Sequence, residues 1–293
     1  MSSLCRHHLG RLPPPRSGIK EIAYQQEPDQ IVWVVLDNGK LLGMTYRREE
    51  NVVAWHEHTL GGSYGDDDWG HVVSVTSVRT GEDEEDLYLI VKRTIDGAEK
   101  WFVERLDDIN PLLDNTEPYF VDCGIKFEGL VFNNTLSNLD HLEGEELAIM
   151  VSGAVGPNAT VTNGTINIGE TEGGTQKVQL GLPYTSVLET MRLDYGGEEG
   201  TSQAKNKRIR EVTLRLYETG VGLKVGSQEG EIQELYFRDT NDAMNEPVAI
   251  FSGDKTIEFA GGFDSDARIY VEQSNPVPTT ILAIYPLMQT WDK

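Results

Sequence analysis

The stretch Val52-Val53-Ala54-Trp55-His56-Glu57-His58 carries two imidazoles two residues apart. In an extended strand that spacing puts both on one side, with Val52 and Ala54, while Val53, Trp55 and Glu57 take the other. A zinc site needs three or four ligands, and a catalytic one also an open position. The only further histidine nearby is His71, after an acidic loop. The expectation is therefore a structural strand, outermost in its sheet, with partly exposed imidazoles.

Two acidic runs offer other chemistry: Asp66 to Asp68 in GDDDWG and Glu82 to Asp86 in GEDEED. Calcium loops alternate their ligands and fix a glycine and a distal glutamate, a spacing neither run has. Catalytic carboxylate pairs need burial at a set separation, which a solvated run does not give. Both runs read as loop tips. No G-x-S-x-G, P-loop, HExxH or dinucleotide fingerprint is present. No catalytic, metal or cofactor-binding residue is expected, and no enzyme. One basic group, Lys205, Lys207, Arg208 and Arg210, stands out. It is a candidate contact for an acidic surface on a partner or a neighbouring subunit, and equally suits a solvated start of a strand.

The 48 acidic and 25 basic residues give a formal charge of -23, which disfavours any extended phosphate-gripping surface. A like-charged channel would let nucleic acid slide without sticking. No apolar run approaches the roughly 18 residues of a membrane helix, so no stable membrane association is expected. Cys5 and Cys123 are too few for a disulfide framework. The leader, residues 1–18, lacks an apolar signal core, and as a Pro-rich polar segment it is expected to stay unfolded.

Positioning falls to strands. Thirty glycines and many turn dipeptides cut the chain into short β-branched and aromatic runs, with no sustained helical period, so the fold class is all-β. Ile31 to Leu36, Lys40 to Arg47 and Val52 to His58 read as strands, joined by a type I′ turn at Asn38-Gly39 and a turn at Glu49-Glu50-Asn51, with GIKEIAYQ as a fourth. HVVSVTSVRT, DLYLIVKRTIDG and AEKWFVERLDD repeat the plan, Asp96-Gly97 standing in for Asn38-Gly39. Residues 19–110 thus read as two β-propeller-like blades. A small β-barrel-like module is expected over 111–195, a linker over 196–207, and a terminal β-sandwich or platform module over 208–293. In the latter, RIREVTLRLYET should place Arg210, Val212, Leu214 and Leu216 on one face.

Several long segments, in order, resemble the carboxyl-terminal part of the tail nozzle proteins (tail tubular protein B) of short-tailed bacteriophages and related prophages. They are IKEIAYQQEPDQIVWVVLDNGKLLGMTYRREENVVAWHEHTLGG, HLEGEEL with VQLGLPYTSVLETMRL, KNKRIREVTLRLYETGVGLKVG, and FSGDKTIEFAGGFDSDARIYVEQSNPVPTTILAIYPLMQTWD. The resemblance runs from about Gly18 to Asp292. It implies a structural virion protein, assembled in the host cytoplasm into a homohexamer below the adaptor ring of the portal. Tail fibres are further implied partners, and DNA passes through without specific binding. It also implies a ubiquitin-activating-enzyme-like barrel over about Tyr119 to Asp194, a fold label without ubiquitin chemistry. Family members usually carry further blades and platform strands before the point matching Gly18. Three forms fit that difference: a truncated or split-gene product, a tail protein whose other half is a separate polypeptide, or a shortened homologue. The alternatives are a prophage remnant that folds without assembling, and a host-surface carbohydrate-binding or carbohydrate-cleaving β-propeller protein. The last would need Trp33, Trp55 or Trp69 lining a pocket beside Asp66 to Asp68.

Overall fold

The computed structural model describes residues 7–8, 17–81, 84–106, 119–130, 134–169, 175–194, 196–197, 200–202, 205–240, 242, 247–259 and 262–291. Within them the chain is all-β, in several separate sheets, none closed into a barrel. The expected unfolded leader falls largely outside these residues, and the run Glu82 to Asp86 falls partly outside them. His7–His8 is a two-residue strand parallel to Leu188–Glu189.

Two antiparallel meanders open the fold. The first runs β1 (Ile19–Gln25), β2 (Ile31–Leu36), β3 (Leu41–Arg47) and β4 (Val52–His58) in sequential order. The second has three strands rather than four: β5 (His71–Arg79), β6 (Glu85–Ile95) and β7 (Ala98–Leu106). Glu85 and Asp86, expected at a loop tip, thus open a strand. Strand alternation explains the packing of the two sheets. Trp33, Val35 and Leu41 of the first meet Val72, Val75, Leu87, Leu89 and Val91 of the second in one buried core. The opposite faces carry exposed apolar side chains, on the first sheet beside the buried Val34, Leu36 and Leu42 and on the second among polar Thr76, Lys92 and Arg105. Ile22, Tyr24, Tyr46, Val53 and Trp55 are exposed on the first sheet, and Val78, Ile90, Trp101 and Val103 on the second.

The two expected hairpin turns share a position but not a geometry. Asp96 and Gly97 both have positive φ, at 49° and 69°, as a type I′ turn requires. Around Asn38 only Gly39 does, at 78°. Gly39 N–H donates to Leu36 and Leu36 N–H to Lys40, so Asp37, Asn38 and Gly39 form a three-residue loop with glycine in the left-handed position. The type I′ reading at Asn38-Gly39 is thereby corrected. The extra residue widens the first hairpin by one position.

The second module is an open sheet built on β8 (Asp122–Leu130), β9 (Glu146–Val151) and β10 (Thr175–Leu182), with β10 central. A separate pair, Thr135–Ser137 with Thr165–Asn167, closes over one face. Its core of Leu136, Leu142, Leu147, Ile149, Ile166, Val178 and Leu180 takes in Ile95 and Phe102 from the first module. The two modules therefore share packing.

β11 (Ser186–Glu189), placed by sequence in the second module, pairs with the terminal strand Tyr270–Gln273. The terminal module continues with β12 (Asn206–Thr219), β13 (Lys224–Gly226), β14 (Ile232–Glu234), β15 (Phe251–Glu258), β16 (Tyr270–Gln273) and β17 (Thr280–Trp291). β12 lies between β15 and β17, and its inward Ile209, Val212, Leu214 and Leu216 share a core with Leu223, Val225, Ile269 and Val271 of the other sheet. A register shift between Ile209 and Glu211 inverts the alternation. Ile209 rather than Arg210 joins the apolar face, and Arg210 is exposed. The expected four-residue face thus loses its first member.

Candidate functional site

The histidine pair is not partly exposed. His56 and His58 are each only 6% exposed, which corrects the expectation for that strand. The cause is the residue opposite: His56 faces Gly43 across the hairpin, so the imidazole sinks into the space a side chain would fill. A Cβ at position 43 would lie 2.1 Å from His56 Cε1. The two rings bond to each other, His56 Nδ1 to His58 Nε2 at 2.8 Å, and both pack on Trp33. Trp33 in turn donates to Gln25 at 2.9 Å. Gly43→Ala is expected to displace the His56 ring and cost about 1–3 kcal/mol, read as a lowered denaturation midpoint.

Among the described residues, no three His, Cys, Asp or Glu side chains are arranged to hold a metal ion. Asp67 accepts from His71 Nε2 at 2.8 Å, and His71 packs on Tyr64 and Trp69. The acidic loop is thus tied to its own histidine. Nor do the tryptophans line one pocket. Trp33 pairs with Gly43 and Trp55 with Met44, so they point to opposite faces of the sheet, and Trp33 is buried. Trp33 is thereby removed from any carbohydrate surface beside Asp66 to Asp68.

The basic group is also divided. Lys207 is fully buried, its Nζ on Asp194 at 2.5 Å, while its backbone bridges Asp264. Arg208 and Arg210 remain exposed, and Lys205 is half-buried. Lys207 is therefore a fold-holding ion pair and cannot join its neighbours in a contact surface.

The densest polar constellation lies where the first module meets the second. Arg93 on β6 is fully buried and forms a two-armed pair with Glu104 on β7, the second arm at 3.2 Å. Its Nε donates to Gly61 O at 2.7 Å, and its Nη1 lies 3.1 Å from Cys123 Sγ on β8. The Cys123 thiol donates to Glu104 at 3.1 Å. Asp122 accepts from Gly61 N–H at 2.6 Å through Oδ2, while its Oδ1 is buried with no partner. Glycine makes room: a Cβ at Gly62 would stand 2.8 Å from Arg93 Cδ.

Burial sets the proton affinities here. It pushes the Asp122 carboxyl up to about 6, aided by Glu104 and opposed by Arg93 and the Gly61 amide. It pushes the Cys123 thiol far above its ordinary value, so this sulfur is a hydrogen-bonding neighbour rather than a nucleophile. Burial would lower the Arg93 guanidinium, but Glu104 outweighs it and holds it above its usual range.

A cleft of about 350 Å³ opens beside this cluster, lined by Phe102, Glu104, Tyr119, Cys123 and His141 among others. A second, about 430 Å³, lies against the terminal module and gathers Glu57, Asp68, Glu229 and Glu272. Two of those carboxylates already have partners: Glu57 bonds Lys40 at 2.6 Å and Glu272 bonds Lys224 at 3.3 Å.

No protein-family model matches the chain. No curated protein matches it either. The chemistry must therefore be read from the residues. Sequence reasoning missed the Arg93 cluster although a signal existed. Leu87, Leu89, Val91, Arg93 and Ile95 form one alternating inward row, in which a lone cation needs a buried counterion.

Proposed function

We propose that this chain is a structural component of a bacteriophage tail, part of a nozzle below the portal and adaptor ring through which DNA passes. In this reading the two opening sheets are adjacent propeller blades, the open second module packs against them and the terminal module is a platform. The observation that carries it is the outer face of the first of the two opening sheets. A sheet ending at solvent alternates apolar and polar, whereas one sandwiched between neighbours is apolar on both sides. On the first sheet Ile22, Tyr24, Val53 and Trp55 lie open beside Val34, Leu36 and Leu42, which suits a stack continued by a further sheet, while on the second Ile90, Trp101 and Val103 stand among Lys92 and Arg105. The resemblance of the sequence to nozzle proteins supplies the assembly, a hexamer with adaptor proteins and fibres as neighbours. The charge of -23 per chain, multiplied around such a ring, favours slippage of DNA over binding.

Light scattering tests the reading. The chain is expected to reach about six times 32.7 kDa, alone or with adaptor protein, or to enter purified tails. Val103→Lys together with Ile22→Lys should weaken that association while leaving each module folded. A monomer that joins neither adaptor nor tails would overturn the nozzle reading for this chain.

A further inference from the structure

The junction between the first two modules holds more buried negative charge than positive. Arg93 supplies one guanidinium; Glu104 and Asp122 supply two carboxylates, of which Glu104 takes both arms of the cation. Asp122 keeps one oxygen bonded to the Gly61 amide and one without a partner. A buried carboxylate oxygen without a partner is costly, and the simplest remedy is a proton. Among the described residues the cation in its field is Arg93, already paired with Glu104. On β10 the residues beside Asp122 are Gly181 and Leu182. On its own strand stands the protonated Cys123, and from the connection before β9 Glu145 lies in the field of Arg93, adding negative rather than positive charge.

We infer that this junction is a proton-operated latch, in which uptake of one proton by the Asp122 carboxyl removes the surplus buried charge and tightens the docking of β8 on the Gly61 loop and the Arg93–Glu104 pair. The device is independent of the nozzle reading, since it rests only on groups inside one chain. Its direction follows from linkage. A carboxyl held above its ordinary value in the closed junction binds its proton more tightly there than in the open one, so acid favours closure. The full benefit is present below the ordinary value and is lost as pH rises through about 6. Between pH 5 and pH 7 the closing constant should fall roughly tenfold on this account.

Cys123 reports on opening, because its thiol is held against Arg93 and Glu104 while the junction is closed. In a Cys5→Ser background, iodoacetamide labelling of Cys123 is measured from pH 5 to pH 7 with and without Asp122→Asn, which keeps an acceptor for Gly61. Taking the ratio of the two rates cancels the thiol's own pH dependence where the thiols open alike. That ratio, the chain retaining Asp122 over the Asp122→Asn variant, is expected to rise roughly tenfold between pH 5 and pH 7. A ratio that stays constant would overturn the latch. Should the variant fail to fold, the unaltered chain still decides. The carboxyl ¹³C signal of Asp122, assigned through its link to the Cys123 amide, should titrate near pH 6. A midpoint at the ordinary aspartate value would overturn the proposal.

Discussion

Glu104→Ala is expected to cost about 3–5 kcal/mol, one of the two largest single-residue effects anticipated in this chain. The reason is what it leaves behind. Arg93 is fully buried, and the loss of Glu104 removes both arms of its ion pair, leaving Gly61 O and the Cys123 sulfur beside the guanidinium. Unpairing a buried ion costs more than the pair contributes, since the pair itself has repaid its own desolvation only in part. The neighbour Asp122 moderates the loss. With Glu104 gone, the repulsion that helps raise its carboxyl disappears while the attraction of Arg93 remains. Asp122 should then ionise more readily and partly neutralise Arg93, which places the expected cost in the lower half of that range. Two controls separate charge from shape. Glu104→Gln keeps the hydrogen-bonding outline without the charge and should fall between the two chains. Arg93→Met with Glu104→Leu removes both ions and should lie near the unaltered stability or above it. Urea denaturation followed by circular dichroism reads all four. A single alanine variant as stable as the parent would show that the pair is not dry.

Much of the fold was legible because strand alternation is a short-range signal. Ile31–Leu36 and Val52–His58 fall where apolar alternation and turn residues put them, and the all-β class needs nothing beyond that. What was not legible depends on partners far along the chain. His56 reads as a half-exposed strand residue until the hairpin register sets Gly43 opposite it. That register is set by the length of the turn at residues 48–51, which the Glu49-Glu50-Asn51 motif alone does not decide. The bulge at Arg210 is hidden for the same reason: Ile209 and Val212 are three apart, and strict alternation assigns only one of them to the core. Charged core residues follow another rule. Lys207 and Arg93 sit in inward register beside apolar neighbours, and only the fold reveals that Asp194 and Glu104 await them. The sequence therefore shows which positions face inward better than it shows which inward charges will be paired.

Trp33→Ala carries the second large effect, again about 3–5 kcal/mol. Trp33 lies at the centre of the core between the two opening sheets and is 2% exposed. Truncation removes an indole that fills space from β2 to β4, and three losses then coincide. The facing apolar side chains of the second sheet lose contacts that a relaxed core recovers only in part. Gln25 Oε1 loses its donor at 2.9 Å. The linked imidazoles lose the ring on which both rest, at 5.8 and 4.9 Å between centroids. Trp33→Phe separates these causes, because it keeps most of the aromatic volume but removes the N–H. Its expected cost is about 1–3 kcal/mol, the penalty of a buried acceptor left unsatisfied plus a small void. Pairing Trp33→Phe with Gln25→Leu should return only part of that cost, since the stranded acceptor is removed but Glu85 O loses its Gln25 donor at 2.7 Å. Cys123 labelling supplies a local check in the same chains. If the two-sheet core and the Arg93 junction form one cooperative unit through β6, Trp33→Ala should speed labelling in proportion to its loss of stability. Unchanged labelling alongside a lowered denaturation midpoint would mean that β6 divides two units, with Leu87, Leu89 and Val91 belonging to one and Arg93 and Ile95 to the other.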